Sequence, residues 1–384
     1  VGRDSRESSG SIDETFIEGV RSSGANVVDI GQGTTDRTAL AASHYGGTGV
    51  MVTASHHSWE RTGFKLIYEE GNGFSNEDMD RIEELFRERD FEEGEGTLLN
   101  EQHEFDEIYI EKLQKVFEEV EGVDGIEGKV LLDSLGGSSR TAPLVFEEVG
   151  AEVEEFGWET RPAPEPSESN RKPVMDESEG FDVAVGYDPD GDRVYLVHPE
   201  LGWVDGDRLF YLLARIVEPD TIAASIDTSP MIEETGAEVE YTRVGDVFVS
   251  DRGKEIDADL IGEPNGHYAV PEFSWYHSGI LSSMLLASIA EEVPDMLEDV
   301  EEYRSVRRSR SYSSREERGE AFEQAKKRVA ERFDLVSRRD GIKFEGDGFT
   351  GLVRPSGTSP KLRAVVHTEE EEVDSESILD QILD

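Results

Sequence analysis

Lys129-Val130-Leu131-Leu132-Asp133-Ser134-Leu135-Gly136-Gly137-Ser138-Ser139 begins as a short apolar run and ends as a Gly/Ser loop. An apolar run of that length, bounded by turn residues, reads as a buried strand. A helix follows near residues 141–149 and another strand near 152–156. The same order returns further along: a strand at 221–226, the loop Asp227-Thr228-Ser229, a helix near 231–236 and a strand at 239–242. Towards the start, a Gly/Ser-rich loop over 2–11 leads to a helix over 12–23 with Phe16 and Val20 on one face. A strand at 26–30, a short helix at 38–45 and a strand at 49–53 come next. Short β runs alternating with helices argue for a layered α/β architecture, and the recurrence predicts three related mixed α/β domains. The Pro-rich stretch 161–173 falls as a loop inside the second. Segment 295–314, rich in charge and serine, breaks the pattern. Beyond it an Arg/Glu helix over 315–333 and strands near 341–344, 348–353 and 361–367 predict a smaller C-terminal α+β domain.

Charge narrows the partners. The 384 residues carry 87 Asp+Glu against 38 Lys+Arg, a formal net charge of -49, spread along the chain. Nucleic acid and anionic membrane surfaces both need a basic face, so neither is expected as a partner. Self-repulsion on this scale destabilises a compact state unless salt screens it, which points to a high-salt cytoplasm. The alternative is an ordinary acidic protein with solvated Glu-rich helices, such as 82–93. The absence of cysteine excludes disulfides, thiolate metal sites and a Cys nucleophile. No apolar stretch reaches membrane-spanning length and Val1-Gly2-Arg3-Asp4 is not a signal peptide, so a cytoplasmic protein is expected. Val1 sits where a strand would be ending, and an N-terminal segment is expected to be missing.

Four loops carry chemistry. Thr53-Ala54-Ser55-His56-His57-Ser58 follows the strand at 49–53, placing Ser55 at the carboxyl end of a strand, where α/β sheets bind ligands. A plain polar turn is the alternative; a Ser-His hydrolase lacks its Gly-x-Ser-x-Gly signature here. Asp188-Pro189-Asp190-Gly191-Asp192-Arg193 follows the apolar run at 182–185. Three carboxylates at alternate positions call for a positive partner, and hard oxygen ligands suit Mg²⁺ with a phosphate oxygen, which Arg193 would also contact. An EF-hand reading fails, because position 6 is Arg193 and position 12 is Pro199; a solvated acidic turn stays open. In Gly262-Glu263-Pro264-Asn265-Gly266-His267, the side chains of Glu263, Asn265 and His267 offer directed hydrogen bonds to sugar hydroxyls, against a simple Pro/Gly turn. Arg354-Pro355-Ser356-Gly357-Thr358-Ser359-Pro360-Lys361-Leu362-Arg363 gathers cations, hydroxyls and a glycine into a phosphate nest.

Taken in order, these loops resemble the motifs of the α-D-phosphohexomutase superfamily, as do Val1-Gly2-Arg3-Asp4-Ser5-Arg6 and Tyr241-Thr242-Arg243-Val244-Gly245-Asp246. Two departures stand out: His57-Ser58 where the family has Asn-Pro, and Asn265 where it has Ser. The resemblance implies four domains around a central cleft. They are a phosphoserine domain (1–107, N-terminally truncated), a metal-binding domain (108–219), a sugar-binding domain (220–298) and a phosphate-binding domain (299–384). It implies Ser55 as the phosphoserine, with Asp188, Asp190 and Asp192 joining its phosphate on Mg²⁺. Lys65 or His267 would be the general acid or base. Arg193, Glu263, Asn265 and His267 would face the sugar, and Arg354, Ser356, Gly357, Thr358 and Arg363 the distal phosphate. The implied reaction interconverts hexose 1-phosphate and hexose 6-phosphate through a hexose 1,6-bisphosphate. Phosphomannomutase/phosphoglucomutase is the first reading. Phosphoglucosamine mutase, or a catalytically weak sugar-phosphate-binding protein, is the alternative. A monomer or homodimer is expected.

Overall fold

The structure is a computed structural model that describes every residue except 160, 301, 358, 370–372 and 384. Three of its sheets share one topology. In the first, the strands Gly2–Arg3, Gly31–Gln32, Gly49–Thr53 and Gly63–Ile67 lie in the order second, first, third, fourth. The first strand pairs in parallel with the second and third, and the third pairs antiparallel with the fourth. Lys129–Asp133, Glu152–Glu155, Val183–Tyr187 and Val194–His198 repeat this arrangement, with Gly202–Val204 added at the edge. Thr221–Ser225, Glu238–Thr242, Leu260–Glu263 and His267–Ala269 repeat it again. The recurrence of elements along the chain is therefore a recurrence of topology. The fourth large sheet is antiparallel throughout, built from Arg304–Ser311, Asp334–Ser337, Ile342–Gly346, Phe349–Pro355 and Lys361–Thr368.

Several boundaries differ from the sequence reading. The stretch 2–11 is not a loop throughout: Gly2 pairs with both Gly31 and Met51, and the helix Ser9–Ser22 starts three residues before the expected 12. The unit near 231–236 is a 3-10 turn, Pro230–Thr235, headed by Ser229, whose hydroxyl accepts from Met231 N. Segment 295–314 holds a helix, Val293–Glu298, and the eight-residue strand Arg304–Ser311. That strand has no apolar alternation because it is an edge strand whose arginines are held by acids: Arg307 by Asp207 at 2.7 Å, and Arg308 by Glu376 and Asp380.

One apolar cluster runs through the second and third sheets and the helices Gln102–Glu119, Gly206–Val217 and Gly279–Ser288, with Leu40 of the first unit packed against it. The C-terminal unit has its own core, in which Phe344, Val353 and Val366 meet Val329, Leu379 and Ile382. Among the described residues, the apolar contact between the two is small, Ile226 with Leu352 and Val365. Among the described residues, no helix is long and apolar enough to cross a membrane.

Candidate active site

In each of the three related sheets, the connection from third to fourth strand carries one of the motifs. It leaves Thr53 for the Ser55 loop, Tyr187 for the aspartate triplet, and Glu263 for the Asn265 turn. All three connections start at the carboxyl end of a parallel strand. The triplet lies in a β-hairpin turn, with Gly191 at φ +69; a Cβ there would meet Thr34 Cγ2 at 2.4 Å. A strand on each side disposes of the EF-hand alternative. The loops are also joined to one another: Arg193 bridges His267 through the backbone, Val194 N donates to Gly266 O at 3.1 Å, and Thr35 N donates to Asp190 O at 2.9 Å.

Ser55 adopts φ +48, a left-handed conformation costly for serine. Arg6 is what holds it there. This buried guanidinium donates to the carbonyls of Ser55, His57 (2.9 Å), Ser58 (2.8 Å) and Arg61 (3.3 Å), and its Nε bonds Asp4 Oδ2 at 2.8 Å. Asp4 is completed by the hydroxyls of Ser9 (2.5 Å) and Thr53 (2.8 Å). With its loop so drawn back, Ser55 Oγ reaches across to donate to Asp188 Oδ2 at 2.9 Å, with His56 Nδ1 at 3.3 Å. Burial, with Arg193 and His57 adding to it, pushes His56 down to about 2, so its ring is neutral.

Asp188, Asp190 and Asp192 are buried, and one oxygen of each lies within 4.8 Å of the others. Burial and the two neighbouring carboxylates push Asp188 well above the usual carboxylate range. Asp192 is held well below it: burial opposes ionisation, but Lys65 and His267 outweigh that. Lys65 Nζ is 2.7 Å from Asp190 Oδ2 and also contacts Asp192 Oδ2. Burial lowers the ammonium's pKa, and the two aspartates more than reverse this. Thr35 donates to Asp190 Oδ2 at 2.8 Å, while Asp190 Oδ1 is buried with no hydrogen-bond partner. Hard oxygens, an orphaned carboxylate oxygen and an ammonium already seated between two aspartates fit a divalent cation at this point.

His267 Nε2 lies 3.1 Å from Asp192 Oδ1 and Nδ1 lies 3.4 Å from Glu263 Oε2. Burial works against its charge, but these carboxylates raise it to about 9, so it is an imidazolium that donates to both. Arg193 Nε, 3.2 Å from the same Nε2, is then a neighbour and not a donor. Glu263 Oε1 accepts from Gly245 N at 2.7 Å, and Asn265 Oδ1 from His267 N at 3.3 Å.

In the C-terminal unit, Arg354 and Arg363 stand directly opposite on adjacent strands. Like charges so placed repel. Arg354 Nη1 has Asp340 at 3.1 Å, whereas Arg363 makes no ion pair among the described residues; partial burial and Arg354 lower its pKa. Behind the loop, Arg318 Nη1 donates to the carbonyls of Ser356 (2.6 Å) and Ser359 (3.3 Å). Ser356 is buried and Gly357 lines the cleft; Thr358 lies outside the described residues. A cleft of about 1000 Å³ brings together Ser55, Lys65, Arg193, Glu263, Asn265, His267, Arg354, Ser356, Gly357 and Arg363, with the aspartates behind Ser55. Seven arginines and Lys65 line it against three acids, Asp246, Glu263 and Asp340, inverting the charge balance of the chain.

Arg6, Asp4, Thr35, His56 and Arg318 were not singled out by sequence reasoning. Arg6 and Asp4 stood within a recognised segment, Val1-Gly2-Arg3-Asp4-Ser5-Arg6, with nothing local to say that they hold a loop some fifty residues away. Arg318 is hidden in the Arg/Glu helix Arg315–Arg332.

Fold and site together define a multi-unit α/β enzyme built around a cationic cleft. Residues 1–93 match domain I, and residues 205–304 domain III, of the family described as phosphoglucomutase/phosphomannomutase, alpha/beta/alpha domains. A probable phosphoglucosamine mutase of Methanococcoides burtonii is 30% identical, the match covering 96% of this chain and 87% of the relative. A phosphoglucomutase/phosphomannomutase of Thermococcus kodakarensis is 28% identical over 97% of this chain and 86% of its own. The chain belongs to the phosphohexomutase family. A crystal structure of a phosphoglucomutase/phosphomannomutase family protein from Burkholderia thailandensis shares the fold, with TM-score 0.85 at 20% identity, covering 99% of this chain and 86% of that one.

Proposed function

We propose that this phosphohexomutase moves a phosphoryl group between the 1- and 6-hydroxyls of a hexose phosphate by way of Ser55. The observation that carries the role of Ser55 is its hydroxyl, 2.9 Å from Asp188 across two units, in the cleft that Arg354 and Arg363 also line. Asp188, Asp190 and Asp192 would hold Mg²⁺. When bound, the ion neutralises charge on the phosphoryl oxygens.

Phospho-Ser55 gives its phosphoryl to the free hydroxyl of the sugar phosphate. The Oγ–P bond breaks, a sugar O–P bond forms, and the hydroxyl proton passes to a base. In the return step the other sugar O–P bond breaks and an Oγ–P bond forms; the Ser55 Oγ proton leaves, and the released sugar oxygen takes a proton from Lys65 or His267. His56, held neutral 3.3 Å from Oγ, lies beside that oxygen as a polar neighbour. Lys65 and His267, both held protonated by carboxylates, enter as acids and as partners for phosphate and sugar oxygens. Glu263 and Asn265 orient the hexose with Arg193 alongside. Arg354, Arg363, Ser356, Gly357 and Thr358 grip whichever phosphate is not being transferred, so the hexose 1,6-bisphosphate reorients without a second site.

Glucosamine 1-phosphate is the first substrate to test, because the Methanococcoides burtonii relative carries that activity in its name. Glucose 1-phosphate and mannose 1-phosphate follow. We further propose that the acidic surface suits a high-salt interior. A coupled assay with the three sugars, in Mg²⁺ and molar salt, should show turnover that Ser55→Ala abolishes and that fades on dialysis into dilute buffer. A fully active Ser55→Ala would refute the role of Ser55. Binding without turnover on any of the three would leave only a sugar-phosphate-binding protein.

A further inference from the structure

Ser55 and Asp188 belong to different sheets, and a hydroxyl held 2.9 Å from a carboxylate across that boundary needs the two units registered beside it. The Pro-rich stretch of the second unit supplies a strut. Arg171, wholly buried, pairs with Asp133 at 3.3 Å at the end of the strand Lys129–Asp133. Its guanidinium donates to the carbonyls of Ala163 (2.9 Å) and Pro164 (3.4 Å), fixing the strut to that sheet. Asp133 is itself held by Tyr195 Oη at 2.6 Å and Trp158 Nε1 at 2.9 Å. At the far end, Pro162 O accepts from Trp59 Nε1 at 2.7 Å. The Arg161 guanidinium lies 3.7 Å from the centre of the Trp59 ring and donates to Ser5 O at 2.6 Å and Ser5 Oγ at 3.0 Å.

Trp59 sits in the Ser55 loop, directly after the His57-Ser58 pair that departs from the family pattern. Its indole packs on Arg6 as well, 5.1 Å from ring centre to guanidinium carbon. Every N–H of Arg6 is committed to Asp4 or a loop carbonyl, so the face of the guanidinium is the surface left to seat against. The indole is thus in contact with two guanidiniums, with its N–H spent on the strut; both distances are in cation–π range. No proline stiffens this loop between Thr53 and Gly63.

We infer that Trp59 is a positioning residue for phosphoryl transfer: docked on the 161–166 strut, it locks the Arg6-held loop so that Ser55 Oγ stays in register with Asp188. The inference rests on the phosphoserine reading, and its test separates the two. Purified full-length chains are incubated with glucose 1,6-bisphosphate in Mg²⁺ and molar salt, and phosphoryl uptake on Ser55 is followed by intact mass. In parallel, amide hydrogen exchange over residues 54–62 is measured. Trp59→Ala should slow uptake about 100-fold, the scale expected from a misplacement near 1 Å. The KM for sugar phosphate should stay within twofold, since the Arg354 loop is untouched. Trp59→Phe, which keeps an aromatic ring against the guanidiniums and loses the N–H, should recover most of the rate. Arg161→Ala should fall between them. Exchange over 54–62 should rise about tenfold in Trp59→Ala, the loss of a local constraint, and stay unchanged over 260–270. If the parent chain never takes up phosphoryl, the phosphoserine reading fails and the exchange data still judge the strut. If uptake in Trp59→Ala matches the parent, or its 54–62 amides exchange no faster, the positioning role is overturned.

Discussion

The Ser55 loop and the Arg354–Arg363 loop are both held from behind by one arginine that donates to their carbonyls. The resemblance ends there. Arg6 has five committed N–H groups, a buried carboxylate partner in Asp4 and an aromatic cover in Trp59. Arg318 spends one nitrogen on two carbonyls, leaves its Nε buried without a hydrogen bond, and pairs with no acid among the described residues. The first loop lies in a unit bonded closely to the second and third: Asp36 Oδ2 accepts from Tyr109 at 2.7 Å and Ser278 at 2.5 Å, and Thr35 binds Asp190. The second rides on a unit with a separate core, tied across by a small apolar contact at Leu352 and Val365 and by polar links: Arg307 with Asp207 and Asp227 O, Val244 N with Asp340, and Arg339 with Tyr241 O. Where phosphoryl transfer is proposed the loop is held by a buried, fully committed network; where the distal phosphate would be gripped it sits on a unit with its own core. That division suits a unit that closes over substrate and excludes water.

The largest way to break this contrast is Arg6→Met. It strands Asp4 and frees four carbonyls, and leaving one member of a buried ion pair costs about 3–5 kcal/mol. Thermal unfolding should fall accordingly, and turnover in the surviving folded fraction should drop by more than two orders of magnitude. Arg318→Met should be milder and different in kind. Losing its hydrogen bonds removes about 1–2 kcal/mol of loop order, so KM for the sugar phosphate should rise about tenfold with kcat within twofold. Equal losses of kcat in both variants would erase the distinction.

The smallest effect probes the C-terminal unit by pH. His367 is buried, bonded through Nδ1 to Ser305 Oγ at 2.8 Å. Burial lowers its pKa to about 3; Asp207 opposes this, and Arg307 and Lys343 add to it. The unfolded chain binds this proton near pH 6.5 and the folded chain does not. The stability it contributes is therefore complete above pH 6.5 and lost as pH falls towards 3. His367→Gln should flatten the acid limb of denaturant-unfolding curves for the C-terminal unit by up to one proton. An unchanged slope would mean that His367 does not titrate on unfolding.

Much of the fold was legible. Strands such as Lys129–Asp133 and Gly49–Thr53 appear at the expected limits because buried parallel strands are short, apolar and bounded by turn residues. Arg304–Ser311 was missed because an edge strand stabilised by ion pairs has no apolar period to read. The solvated Glu-rich helix expected over 82–93 lies at Asn76–Glu88, with none of its side chains buried; its charge announced exposure but not its limits. At the site, carboxylates, hydroxyls and cations were visible because their chemistry is concentrated in short loops. Thr35 carried no signal, since its importance is a contact with a residue 155 positions away.

By itself, the sequence determined the local chemistry: a serine at a strand end, three alternating aspartates, a turn of Glu, Asn and His, and a cationic hydroxyl loop, all on a repeated strand-loop-helix plan. It also determined that this chemistry sits in a chain of net charge -49. Only the tertiary structure decided that the third-to-fourth strand connection carries the motif in all three sheets. It alone brought Ser55 to Asp188, raised the pKa of His267, lowered that of His56, and set Trp59 beside Arg6 and the stretch that Arg171 holds. The physical reason is that a residue's type and near neighbours are local, while a pKa, a hydrogen-bond partner or a shared cleft depends on groups that folding alone makes adjacent.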